Sequence, residues 1–130
     1  MQRIMLKSKI HRAVITATEL HYAGSIAIDL RLMKAADILP GEQVHVLNVN
    51  NGQRIITYVI EAPAGSGTIS LRGAAARSGQ VGDTLIVLTY ACVTEDEMGD
   101  FKSRTVHVDN RNRVLPAVPE KVAKRQRNKR

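Results

Sequence analysis

Residues 43–60 read QVHVLNVNNGQRIITYVI, and the fold class turns on how this stretch is punctuated. In 43–49 (QVHVLNV) apolar side chains fall at every second position, the period of a half-buried strand. Residues 54–60 (RIITYVI) are β-branched and aromatic, which suits a pleated surface. Between them, NNGQ (50–53) contains an Asn-Gly pair that favours positive φ and predicts a tight hairpin turn. The same pattern extends outward to RAVITAT (12–18), TISL (68–71), TLIVLTYACV (84–93) and RTVHV (104–108), with PAGSG (63–67) as a breaker. Strands spaced at about ten residues with turn signals between them predict a small β-barrel rather than an open α/β sheet. One helix is predicted in DLRLMKAAD (29–37), with Asp29 as N-cap and Pro40-Gly41 closing it. A second short helical turn is expected after Thr94, where TEDEM places acids in the first turn.

Composition narrows the function classes. A chain of 130 residues and 14.3 kDa, 44% hydrophobic, supports one domain with a real core. No apolar run approaches the ~18 residues of a membrane helix, and no secretory h-region opens the chain, so a cytoplasmic protein is expected. The net charge of +7 suggests a polyanion partner until it is located. Residues 119–130 (PEKVAKRQRNKR) hold six Lys/Arg against one Glu, so the charge belongs to a basic tail, expected to be disordered, behind a domain over 1–118. Single-strand binders interleave bases with stacking aromatics, and only Tyr22, Tyr58, Tyr90 and Phe101 are present; no nucleic-acid role is expected.

Little local chemistry stands out. GSGT (65–68) and GAAA (73–76) lack the flanks of a P-loop or dinucleotide fingerprint. GAAA reads either as a tight strand-to-turn passage or as a backbone nest able to hold a carboxylate. His11, His21, His45 and His107 share no ligand spacing, so no metal is expected. Cys92 follows an apolar run and reads as a small buried hydrophobe. Ser25 lacks the G-x-S-x-G elbow of a hydrolase.

Four longer stretches carry a resemblance. MLKSKIHRAVITATELHYAGSIAID (5–29), NGQRIITYVI (51–60), GSGTISLRGAAA (65–76) and VGDTLIVLTYA (81–91) resemble the pyruvoyl-dependent aspartate 1-decarboxylases. The likeness spans about residues 1–110, with HYAGS, R-x-x-TY and GAAA at the family's own separations. It implies a double-ψ β-barrel assembled as a homotetramer with active sites at subunit interfaces. It also implies self-cleavage between Gly24 and Ser25, spontaneous or aided by an accessory maturation factor, into a 1–24 β chain and a 25–130 α chain. In that chemistry the Ser25 hydroxyl attacks the Gly24 carbonyl, and an N-to-O acyl shift gives an ester. Elimination, tautomerisation and loss of nitrogen to water then leave a pyruvoyl ketone. Gly24 suits its position because a missing Cβ permits unusual backbone angles and close approach of the nucleophile.

The pyruvoyl group, with neither metal nor pyridoxal phosphate, would form a Schiff base with L-aspartate and act as the electron sink for loss of CO2. The product would be β-alanine, for pantothenate and coenzyme A synthesis. The resemblance assigns Tyr58 as proton donor and Thr57 as a substrate contact that also assists cleavage. Gly73, Ala74 and Ala75 match backbone contacts to a substrate carboxylate. Arg54 and Lys9 match cationic carboxylate-binding positions, and His11 and Tyr22 line the site. Thr57 and Tyr58 are adjacent, so a regular strand would point them to opposite faces. One site would then need a bend there or a contribution from two subunits. Arg72 departs from the family's usual Asn before GAAA, and a guanidinium has donors but no acceptor. Two other readings are a pyruvoyl decarboxylase of a related acidic amino acid and an unprocessed barrel acting as a binding or regulatory module.

Overall fold

The structure, a computed structural model, describes residues 1–116; the predicted tail 119–130 lies outside them. The chain runs β1 (Gln2–Val14), β2 (Ala17–Glu19), β3 (Ser25–Asp29), α1 (Leu30–Ala35), β4 (Gln43–Asn48), β5 (Arg54–Ala62) and β6 (Ile69–Arg72). A 3-10 helix (Gly73–Ser78), β7 (Thr84–Thr94), α2 (Glu95–Met98) and β8 (Arg104–His107) complete it. The strands hydrogen-bond in the order β2-β6-β3-β5-β4-β7-β1-β8.

Within that order β2 and β1, far apart in the sheet, are consecutive in the chain. At the break between β1 and β2, the Ile15 amide donates to the Asp83 carbonyl at 2.9 Å, and the Thr16 amide donates to the Ile69 carbonyl at 2.8 Å. The chain thereby passes from its partner β7 to its partner β6, and the sheet closes into a barrel. Parallel contacts at β2–β6 and β3–β5 are set among antiparallel ones, and β8 lies parallel to β1 outside the closed ring. This is a mainly β barrel with short helices. Ile10, Ile26, Ile28, Val44, Val59, Ile69, Leu71, Leu85 and Val87 fill its interior with no side chain exposed, the tight packing expected of a core. Among the described residues no helix is long and apolar enough to cross a membrane.

Several sequence expectations need correction. The first strand begins at Gln2, not Arg12, because irregularities between Leu6 and Ser8 and between His11 and Ala13 break its period. Arg12 sits in the second with φ +67°, and such bulges shift which residues face the core. The 48–53 hairpin takes positive φ only at Gly52; its loop is closed by Gly52 N–H to the Asn48 carbonyl, and the Asn48 side chain accepts from Asn50 N–H. The turn is therefore longer than a two-residue one. Helix α1 is capped by Asp29 as predicted, but it stops before Asp37, whose φ of +55° ends it ahead of Pro40. The turn after Thr94 forms with a full Thr94/Glu97 capping box. Cys92 is exposed rather than buried, since Leu85, Val87, Thr89 and Val93 take the inward positions of β7.

The end of the described chain is fastened by Asn112. This residue is 2% exposed and has φ +60°. Its side chain accepts from Val14 N–H at 2.7 Å and donates to the Val14 and Gly67 carbonyls, both at 2.8 Å.

Candidate active site

The Gly24-Ser25 bond lies where β2 has ended and β3 begins. Residues Leu20–Gly24 form an exposed turn, whereas Ser25 is 1% exposed. The Ser25 hydroxyl donates to the Ala23 carbonyl at 3.3 Å, which holds it on the turn side of the strand. Ser25 is the register partner of Arg72 in the antiparallel β3–β6 pair, so GAAA follows directly beside the turn.

Steric demand for glycine falls on Gly73 rather than Gly24. Gly73 has φ +65°, and a Cβ there would lie 2.5 Å from the Tyr22 carbonyl oxygen, 2.6 Å from Gly24 N and 2.7 Å from Gly24 Cα. All three are backbone atoms with no side-chain freedom to yield. Around Gly24 a Cβ would meet nothing within 4 Å, and its φ is not positive. The expectation that Gly24 itself needs a missing Cβ is thus corrected: the close approach is made by the strand-to-helix corner packed against it.

GAAA forms the start of the 3-10 helix, with Gly73 and Ala75 buried and Ala74 exposed. Gly24, Ile55, Ile56, Thr57, Ala74, Ala75 and Ser78 line a pocket of about 250 Å³. The structure therefore brings together Gly24, Ser25, Thr57 and the 73–75 backbone. Ser78 was not anticipated, and no sequence signal distinguishes it.

Lys9, His11, Arg54 and Tyr58 lie elsewhere in the chain's own fold. In β5, Val59 is buried and Ile55 and Thr57 half-buried, while Arg54, Ile56 and Tyr58 are exposed. Its register with β4 is unbroken from Tyr58–Gln43 to Arg54–Leu47, so no bend turns Thr57 and Tyr58 toward one another. Arg54 is held on the outer face by two groups the sequence reading did not connect to it: Nη2 lies 3.3 Å from His45 Nδ1 and donates to the Tyr90 hydroxyl at 3.1 Å. The His45 and Tyr90 rings meet edge to face at 4.9 Å. Alternation in β4 could have placed His45 beside Arg54, but Tyr90 arrives from β7, which only the tertiary fold supplies.

His11 and Lys9 belong to the same outward face of β1, between β7 and β8. The His11 ring meets His107 edge to face at 5.4 Å, and its Nδ1 finds no hydrogen-bond partner among the described residues. Burial lowers the His11 pKa from its ordinary value, and the nearby Lys9, His107 and Arg12 lower it further. Desolvation and like charge both disfavour an imidazolium here.

Tyr22 and Arg72 stand together at the 20–24 turn. The Arg72 guanidinium lies 4.7 Å from the Tyr22 ring centroid, and its Nε is 3.8 Å from Glu19 Oε2. Among the described residues no group of three or more His, Cys, Asp or Glu is arranged to hold a metal ion.

Comparison of the sequence with known proteins gives one family. A family profile described as aspartate decarboxylase matches residues 1–115. An aspartate 1-decarboxylase of Thermoanaerobacter pseudethanolicus is 54% identical over 115 residues, covering 88% of this chain and 98% of that one. One from Dehalococcoides mccartyi is 58% identical over 110 residues, covering 85% and 89%. The aspartate 1-decarboxylase 1 of Gloeobacter violaceus is 53% identical over 118 residues, covering 91% and 100%. Among solved structures, the rationally designed mkDPBB_sym_86 protein aligns over 59% of this chain and 90% of its own, at 19% identity and a TM-score of 0.46. With the profile spanning nearly the whole described chain and relatives at more than half identity, the chain belongs to the aspartate decarboxylase family.

Proposed function

We propose that this single domain, over residues 1–118, is a self-processing decarboxylase that converts L-aspartate to β-alanine and CO2 for pantothenate synthesis. The observation that carries the reading is the join at Gly24-Ser25. A buried hydroxyl sits beside the peptide bond it would attack, and Gly73 presses the turn onto a pocket bearing Thr57, Ala74 and Ala75. These residues fit a pyruvoyl group made from Ser25: the hydroxyl is the one nucleophile the acyl shift needs, and the pocket beside it combines Ala74, Ala75, Ile55 and Ile56 with Thr57 and Ser78. When formed, the group supplies the electron sink for decarboxylation.

The chain's own residues bind and move the proton. Backbone N–H groups of Gly73, Ala74 and Ala75 start a helix and have no intrahelical partners, which suits a carboxylate. Arg54 and Lys9 supply charge for the substrate's carboxylates, with Arg54 preset by His45 and Tyr90. Tyr58 holds the proton for Cα, and His11 and Tyr22 line the approach. Because Thr57 and Tyr58 face opposite ways on a regular strand, the reading includes a homotetramer in which one chain's pocket is completed by the outer face of another. An accessory maturation factor is compatible with the exposed 20–24 turn. Aspartate is favoured over another acidic amino acid because the curated relatives are aspartate 1-decarboxylases at more than half identity.

The test is the mass of the purified protein, paired with product analysis. A processed chain splits from 14.3 kDa into 1–24 and 25–130 fragments and releases β-alanine from aspartate. Ser25→Ala stays intact and inactive, since no hydroxyl remains to accept the acyl group. Intact, inactive wild-type protein would favour the binding-module reading instead.

A further inference from the structure

We propose that Arg72 acts in self-cleavage by stabilising the carboxylate that leaves at Gly24; the inference rests on the self-processing reading above. Four observations converge on it. Arg72 is the register partner of Ser25 across the β3–β6 pair. Its neighbour Gly73 packs directly on the backbone of Tyr22 and Gly24. Its guanidinium is steered toward the same turn by the Tyr22 ring, at 4.7 Å. Finally, its Nε–H is buried and has no hydrogen-bond partner among the described residues, because Glu19 at 3.8 Å is within ionic range but too far to accept. A buried donor without an acceptor is rare in folded proteins and calls for an explanation.

Self-cleavage creates such an acceptor. Attack of the Ser25 hydroxyl on the Gly24 carbonyl carbon, with departure of the amide nitrogen, gives an ester and a free amine on residue 25. In the next step a hydroxide ion from solvent takes the Cα proton of residue 25. The Cα–H electron pair forms the Cα=Cβ bond, the Cβ–Oγ bond breaks, and its electron pair stays on the former Oγ. That oxygen departs as part of a carboxylate on Gly24. The enamine left on residue 25 tautomerises to an imine, and water replaces its nitrogen, releasing ammonia and leaving the ketone. A full negative charge thus appears at residue 24, beside a cation whose planar donors match a carboxylate. Donors placed in advance where charge develops lower the barrier to its formation. The first step, in contrast, produces no carboxylate, so Arg72 contributes mainly to the second.

This separation of steps gives the test. Freshly purified wild type, Arg72→Met and Arg72→Lys are followed by intact mass, with and without neutral hydroxylamine, which cleaves esters and leaves amides whole. For Arg72→Met, pyruvoyl formation is expected to slow about tenfold or more. The accumulating full-length protein should be split by hydroxylamine into a 1–24 fragment ending in a hydroxamate and a fragment beginning with serine. Arg72→Lys, which keeps the charge but not the fork, should accumulate less ester than Arg72→Met and more than wild type. Circular dichroism reports folding; if Arg72→Met is unfolded, the lysine variant decides by the same ester signature. Wild-type rates in either folded variant overturn the proposal, as does accumulation of a hydroxylamine-resistant chain, which would place Arg72 before the acyl shift. Wild-type protein that never cleaves overturns the self-processing reading itself, a result distinguishable from all of these.

Discussion

Gly73→Ala should arrest self-cleavage while leaving the barrel folded. An alanine Cβ at this position would sit 2.5–2.7 Å from three backbone atoms of Tyr22 and Gly24. Favourable contacts between non-bonded heavy atoms lie near 3.5–4.0 Å, so the turn must withdraw by about 1 Å. The positive φ adds about 1–2 kcal/mol of strain for a residue with a Cβ. The clash falls on the exposed 20–24 turn rather than on the core, so a cooperative melt should persist with Tm lowered by several degrees. Processing has less margin. A displacement of about 1 Å at reacting atoms can cost on the order of 10²-fold in rate. The assay is a time course of intact mass from the moment of purification, with Tm measured on the same samples. Gly24→Ala is the control: nothing lies within 4 Å of its Cβ, and it should cleave at close to the wild-type rate. If Gly73→Ala cleaves normally, or Gly24→Ala is the more impaired, the close approach at Gly73 does not position the scissile bond.

Other expectations address different links. Tyr58→Phe should still yield both fragments yet turn aspartate over about 10²–10⁴-fold more slowly, the usual contribution of a positioned acid; normal β-alanine release would give the proton to another group. Because burial lowers the His11 pKa below its ordinary 6.5, the unfolded chain binds a proton that the folded chain resists. Stability should therefore be full above pH 6.5 and fall as the pH drops through 6.5 toward the lowered value. His11→Gln should flatten that part of the curve in chemical denaturation, and an unchanged slope would contradict the assignment. Asn112→Ala removes three side-chain hydrogen bonds, at roughly 0.5–1.5 kcal/mol each, and should destabilise by about 2–4 kcal/mol in urea titration. A loss under 0.5 kcal/mol would show that the 112 corner is not fastened through this side chain.

Local physics accounts for what the sequence by itself determined. The alternation in β4, the β-branched run of β5, the Asp29 cap and the helical turn after Thr94 depend on neighbours within a few residues, and each was legible as written. The four stretches spanning 5–91 were also enough to identify the family. Tertiary structure decided the rest. A bulge pair concealed the first strand's inward face, because one inserted residue reverses the alternation that a periodic reading relies on. The exposure of Cys92 depended on which alternate positions of β7 meet the core. That Gly73 rather than Gly24 bears the steric demand, and that Tyr90 holds Arg54, are contacts between residues far apart in the chain. Such contacts exist only once the strands have paired, so no pattern within any one of them encodes the distance.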